Sequence, residues 1–244
     1  MMTSDQLAAQ MEPFDSFWEG PENIEKGYRK FHEFYRYNYL PHMPPALDTN
    51  VLVISCGPGY FLNTLKQAGY TRVTGIDSRS SQVDWAKRRS LNCEAARAFE
   101  FLANCKDESY GAIFCEQELN HLTKDEIMAF LQLCFKKLKP GGRLISHGLN
   151  GANPVVGSES LAQNFDHYNT FTEYTIRQVL SHQGFTEITV FPLNLYVFWK
   201  NPANYILLAA SGLLHLVFRA LFIMYGKANR IFTKKIGAVC QKPS

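Results

Sequence analysis

The stretch from Asn50 to Asp77 constrains the fold more than any other part of the chain. An apolar strand pattern, Val51-Leu52-Val53-Ile54, runs into Ser55-Cys56-Gly57-Pro58-Gly59; a helix pattern follows, and a second strand closes on Gly75-Ile76-Asp77. Glycines at a strand-to-helix turn let a ligand approach the backbone, and an acid about 20 positions further on can accept hydrogen bonds from a ribose diol. Tyr60, Phe61 and Leu62 follow Gly59, so this is not the dinucleotide pattern G-x-G-x-x-G. The layout predicts a nucleotide-type cofactor site in a doubly wound sheet.

Strand and helix patterns continue to alternate. A helix is expected over 60–68, a strand over 71–76, a helix from Ser80 or Ser81 to 89, and a weak strand near 92–96. Tyr110 to Cys115 reads as a strand, Lys124 to Leu138 as a helix, and Arg143 to His147 as a strand after the breaker Lys139-Pro140-Gly141-Gly142. Thr123, with Glu126 three residues on, has the form of a capping box. A helix from Thr172 to Gln183 and a strand from Gly184 through Phe191 come next, and the last strand is expected within Ile231 to Cys240. Such alternation implies a mainly parallel sheet with helices on both faces, its ligands beyond the carboxyl ends of the strands.

Two zones stand apart from that core, which is expected over 46–191 and 231–244. Residues 1–45 are rich in aromatics, with Tyr28, Phe31, Phe34, Tyr35 and Tyr37 interleaved with Lys26, Arg29, Lys30 and Arg36. Glu22 to Tyr37 reads as an amphipathic helix, either packing its stripe on the core or serving as a lid, with Tyr28 and Arg29 as candidate contacts. Residues 192–230 hold an apolar run from Tyr205 to Tyr225, broken only by Ser211, His215 and Arg219 along one helical stripe. A packed or dimer-forming helix (homodimer or heteromer) and a peripheral membrane helix, flanked by Lys227, Arg230, Lys234 and Lys235, are both open readings. Spanning is disfavoured by His215 and Arg219 near the middle.

The chain has 244 residues, 46% of them hydrophobic, enough for one α/β domain with an insertion. A formal charge of +3 argues against a nucleic-acid partner. Six cysteines are scattered without a CxxC pair, and read as buried thiols in a reducing compartment, with no metal site expected. Met1 to Gln10 lack a basic start followed by an apolar run, so the expected location is cytoplasmic, with the inner membrane face open to it.

Taken together, these segments resemble class I S-adenosylmethionine-dependent methyltransferases. Phe99 to Leu102 resembles their "A-x-E-F-L" segment. Leu119-Asn120-His121-Leu122-Thr123-Lys124-Asp125-Glu126 resembles the stretch after the fourth strand, and Leu138-Lys139-Pro140-Gly141-Gly142-Arg143-Leu144 the turn into the fifth. Asn150 to Pro154, Phe165-Asp166-His167 and Phe171-Thr172 resemble a bacterial subgroup that accompanies surface-polysaccharide and glycan modification. The resemblance implies a seven-stranded, Rossmann-like methyltransferase fold. It implies S-adenosyl-L-methionine as cofactor, held by Ser55, Cys56, Gly57, Gly59, Asp77 and Ser78. Ala98 and Phe99 would flank the adenine and Glu116, Gln117 and Glu118 line the methyl-transfer side; in the lid reading Tyr28 adds a contact to the cofactor. The implied reaction is O-methylation of a saccharide or glycan-related acceptor, with His167 as base oriented by Asp166 or Glu173, then His147, then His121 as alternatives. A small metabolite or lipid acceptor is the other enzymatic reading.

Three positions depart from the family pattern. Val53 stands where an acidic residue is usual, Ser55 replaces the first glycine, and Arg97 replaces an aspartate that accepts a hydrogen bond from the adenine amine. These departures keep open a non-catalytic subunit that uses the fold to bind or stabilise an active partner.

Overall fold

The structure, a computed structural model, describes residues 21–116, 118–194 and 201–244. Its strands are β1 Val51–Ile54, β2 Val73–Asp77, β3 Cys93–Ala95, β4 Tyr110–Cys115, β5 Leu138–Leu149, β6 Thr186–Pro192 and β7 Lys235–Gln241. They form one sheet in the order β3-β2-β1-β4-β5-β7-β6. β1 to β5 pair in parallel, whereas β7 runs antiparallel to both β5 and β6. Strand order reverses between β1 and β4, and the crevice at their carboxyl ends is where such sheets bind ligands.

The helices are α1 Pro21–Asn38, α2 Tyr60–Gln67, α3 Ser80–Arg88, α4 Ala98–Asn104, α5 Lys124–Lys137, α6 Gly157–Ala162, α7 Glu173–His182 and α8 Ala203–Met224. The two-residue period of the strands divides the apolar side chains into two layers. Val51, Val53, Ala112, Phe114 and Ile145 pack with Phe61, Leu65 and the α1 aromatics. Leu52, Ile54, Ile113, Cys115 and Leu144 pack with Phe130 and Leu131 of α5 and Ile176 of α7.

Local chemistry sets the helix starts. The Thr123 hydroxyl accepts the Glu126 N–H while the Glu126 carboxylate accepts the Thr123 N–H at 2.8 Å, the expected capping box. Thr172 caps α7 in the same reciprocal way with Thr175. α1 turns Ile24, Tyr28, Phe34 and Tyr35 into the core and leaves Lys26, Arg29, Lys30 and Arg36 exposed. The aromatic stripe is thus a packing face.

Two strand starts differ most from the sequence reading. β5 starts at Leu138 because Tyr110 pairs with Leu138, and the register shifts before Ala112 meets Arg143. The supposed breaker is absorbed as an irregularity, with Gly141 at φ +72° donating its N–H to the Lys242 carbonyl. β7 starts at Lys235, later than Ile231, because the Asn150 amide takes the Ile231 and Thr233 carbonyls that a ladder would use.

Candidate active site

β1 delivers the chain into a turn where Ser55, Gly57 and Gly59 all have left-handed backbones, with φ of 54°, 53° and 87°. Ser55 therefore holds the conformation a glycine would adopt freely, at a cost of about 1–2 kcal/mol. The two glycines serve different ends. A Cβ at Gly59 would lie 2.8 Å from Leu91 Cδ1, so that glycine is crowded by packing; at Gly57 nothing among the described residues lies within 4 Å.

Asp77, at the end of β2 and buried, ties the turn together. One carboxylate oxygen accepts the Gly57 N–H at 2.8 Å and the other the Arg79 N–H at 3.0 Å. Each oxygen keeps a second lone pair for a ligand hydroxyl. Ser78 beside it is exposed. Ala98 and Phe99 open α4 directly after β3, and the Arg97 side chain turns away to Glu100 at 3.9 Å. Val53 lies in the middle of β1, buried in the apolar layer. A left-handed turn open beside Gly57 and pinned by a buried carboxylate fits the ribose and amino-acid ends of S-adenosylmethionine.

α1 closes this end of the sheet. The Tyr28 hydroxyl donates to the Pro58 carbonyl, and the Arg89 guanidinium lies 3.8 Å over the Tyr28 ring. Tyr35 donates to the Glu116 carboxylate just past β4, and the Tyr39 hydroxyl bonds Nδ1 of His147 on β5. Burial raises the Tyr35 and Tyr39 phenols and the Glu116 carboxyl, and holds His147 well below its ordinary value. His147 is therefore neutral, and its buried Nε2 has no hydrogen-bond partner among the described residues. Gln117 lies outside the described residues.

The other two histidines meet in the loops past β4 and β5. His121 Nδ1 lies 3.0 Å from Asp166 Oδ2, and this bond holds the Asp166 carboxyl below its usual range. Asp166 thus pairs with His121 rather than with His167. His167 Nδ1 donates to the Ser160 carbonyl at 2.8 Å, and its Nε2 lies 3.3 Å from the Asn164 amide, so its own loop engages both nitrogens. Glu173 is engaged elsewhere, accepting the Arg230 and Ile231 N–H groups. His121, Asp166 and His167 offer donor atoms within 4.8 Å of one another, the one such set among the described residues.

Three features escaped the sequence reading. Tyr39 lies one turn beyond Tyr35, and that i, i+4 spacing was the available signal. Cys56 in the turn meets Cys93 of β3, with sulfurs 3.0 Å apart, across 37 residues with no local signal. A cavity of about 450 Å³ past the end of β5 is lined by Gly151, Ala152, Thr172, Tyr174, Phe222 and Asn229, among others.

Residues 51–142 match the family described as "Methyltransferase domain". The chain is 26% identical over 183 residues to a ubiquinone biosynthesis O-methyltransferase of Xanthomonas campestris, covering 69% of this chain and 75% of that one. Among solved structures, a SAM-dependent methyltransferase from Archaeoglobus fulgidus superposes with a TM-score of 0.66 at 17% identity, covering 94% of this chain and 98% of that one. Geranyl diphosphate C-methyltransferase from Streptomyces coelicolor, solved with S-adenosyl-L-homocysteine, superposes with a TM-score of 0.60 at 16% identity, covering 96% and 87%. Residues 51–142 thus resemble a methyltransferase domain, and the seven-stranded sheet that contains them has the fold of S-adenosylmethionine-dependent methyltransferases.

Proposed function

We propose that the protein transfers a methyl group from S-adenosylmethionine to a hydroxyl oxygen of a lipid-soluble acceptor. The observation that carries the reading is the turn itself: a Cβ on Gly57 would meet no described residue within 4 Å, while Asp77 fixes the Gly57 N–H at 2.8 Å. Asp77 would hold the ribose hydroxyls, and Ser55 to Gly57 the amino-acid end. Bound there, the cofactor supplies an electrophilic methyl on sulfur. The His121–Asp166 pair supplies the base: Asp166 fixes the ring through Nδ1, leaving Nε2 to take the acceptor's proton. His147 is the second candidate, through its unpartnered Nε2.

Oxygen as the accepting atom is supported by the relatives named for O-methylation in ubiquinone biosynthesis. The saccharide acceptor implied by the sequence resemblance enters the acceptor screen as a competitor. Calorimetric titration with S-adenosylmethionine and its demethylated product tests the cofactor site. Affinity on the order of micromolar, falling about tenfold or more in Asp77→Asn, is expected. Methyl transfer is then assayed on a polyprenylated phenol, a lipid-linked saccharide and a free saccharide. His121→Ala should lower kcat by about 10²–10⁴.

A non-catalytic subunit is the second reading, favoured by Val53, buried where an acid is usual, and by strained Ser55. A folded chain that binds neither form of the cofactor would establish it.

A further inference from the structure

α8 leaves almost all of its surface uncovered. It runs 22 residues, about 33 Å at 1.5 Å per residue, and only Asn204 is buried. A seam at Asn204, Leu208, Ser211, His215, Phe218 and Phe222 is shielded. The helix rests on the domain through Phe232, whose ring lies 6.0 Å from Phe218 and 4.8 Å from Phe222. Around the rest of the circumference, Ile206, Leu213, Leu214, Leu216, Val217 and Ile223 stand in the open, Ile206 at 73% and Leu216 at 64% exposure. Apolar surface on this scale marks a face that another phase or partner covers.

Charge identifies the partner. Of the chain's 25 Lys and Arg, 7 lie after residue 187, and none of its 22 Asp and Glu do, giving +7 there and −4 before it. Lys227 and Arg230 are exposed just past the helix, with Lys234 half-buried beyond them. An apolar face flanked by cations, in a stretch empty of acids, complements an anionic lipid surface.

The chain path sets the orientation. Leu193, just after β6, donates its N–H to the Lys235 carbonyl at the start of β7. Arg230 and Ile231 are tied to Glu173, and Phe232 is buried. Leu193 and Ile231, on either side of the insertion, thus return to the same end of the β6–β7 pair. We propose that α8, with Lys227, Arg230 and Lys234, docks the protein in plane on the anionic surface of a lipid bilayer. The docking stands independently of the methyl acceptor.

Flotation with vesicles of equal parts phosphatidylglycerol and phosphatidylcholine, compared with pure phosphatidylcholine, tests this on the full chain. The anionic vesicles should bind at least about tenfold more protein, and added salt should reduce the difference. The triple variant Lys227→Ala, Arg230→Ala, Lys234→Ala should lose that preference. Leu213→Glu with Leu216→Glu should abolish binding to both vesicles with an unchanged melting temperature, because both sites are exposed. A well-folded chain that ignores anionic vesicles overturns the proposal. So does a dimer by sedimentation that Leu213→Glu with Leu216→Glu dissociates without any vesicle binding, since a second copy then covers the face. Resistance to alkaline carbonate extraction from vesicles would overturn the in-plane orientation in favour of insertion across the bilayer.

Discussion

α1 and α8 are the two long helices outside the strand–helix alternation, and their composition and burial run in opposite directions. α1 carries seven charged side chains in 18 residues, yet it buries Ile24, Tyr28, Phe34 and Tyr35 and donates hydrogen bonds to the turn and to Glu116. α8 carries one, Arg219, in 22 residues and buries only Asn204. Apolar content therefore does not decide what enters the core. Spacing does: α1 gathers its aromatics on one face, which the sheet can cover, whereas α8 is apolar around most of its circumference and the domain covers only a seam that includes its polar stripe at Ser211 and His215.

The contrast can be broken most forcefully at Phe34. Phe34→Ala should cost about 3–4 kcal/mol in urea unfolding, and a loss under 1 kcal/mol would mean that α1 is not part of the core. A second test uses the histidine to which the α1 side is anchored. His147 is held neutral below its ordinary 6.5, so the unfolded chain takes up a proton that the folded one refuses as pH falls through 6.5. Stability should then decline by up to about 1.4 kcal/mol per pH unit below 6.5. His147→Gln should flatten this slope, leaving a residue from His42 and His215, which burial also holds low. Unfolding curves at about pH 7 and about pH 5 check it.

Glycines sharpen the comparison at smaller scale. In α1 a Cβ on Gly27 would lie 2.3 Å from the Tyr60 hydroxyl and 2.4 Å from its Cζ. That ring is held between Tyr28 at 4.9 Å and Phe31 at 5.0 Å. Gly27→Ala should destabilise by about 1–2 kcal/mol despite the better helix former. In α8 nothing lies within 4 Å of the same atom on Gly212, so Gly212→Ala should stabilise by about 0.5–1 kcal/mol. Equal effects at both sites would erase the distinction between the helices.

The sequence was most readable where local signals decide the structure. The β1 run, the capping box at Thr123 and Glu126, and β4 from Tyr110 to Cys115 all emerge from neighbouring residues. Reading faltered where distant partners decide. Lys139 to Gly142 looks like a breaker until Tyr110 and Lys242 pair around it. The site shows the same division. Gly57 and Asp77 were recognisable from spacing, but the choice of His121 by Asp166 spans 45 residues. Nothing local marks Ser160 and Asn164 as the groups that occupy His167.

The reversal of β7 has a consequence for how such a chain can acquire new parts. Because β7 alone runs against its neighbours, the connection from β6 leaves and re-enters at a single rim, the rim at which β1, β2, β4 and β5 finish. Material spliced into that connection can grow to the length of α8 without altering one strand pairing, and it always emerges at the end of the sheet that carries the Ser55–Gly59 turn. Had β7 been parallel, the connection would have had to cross to the opposite rim. One inverted strand thus gives every addition at this point a fixed address beside the candidate site.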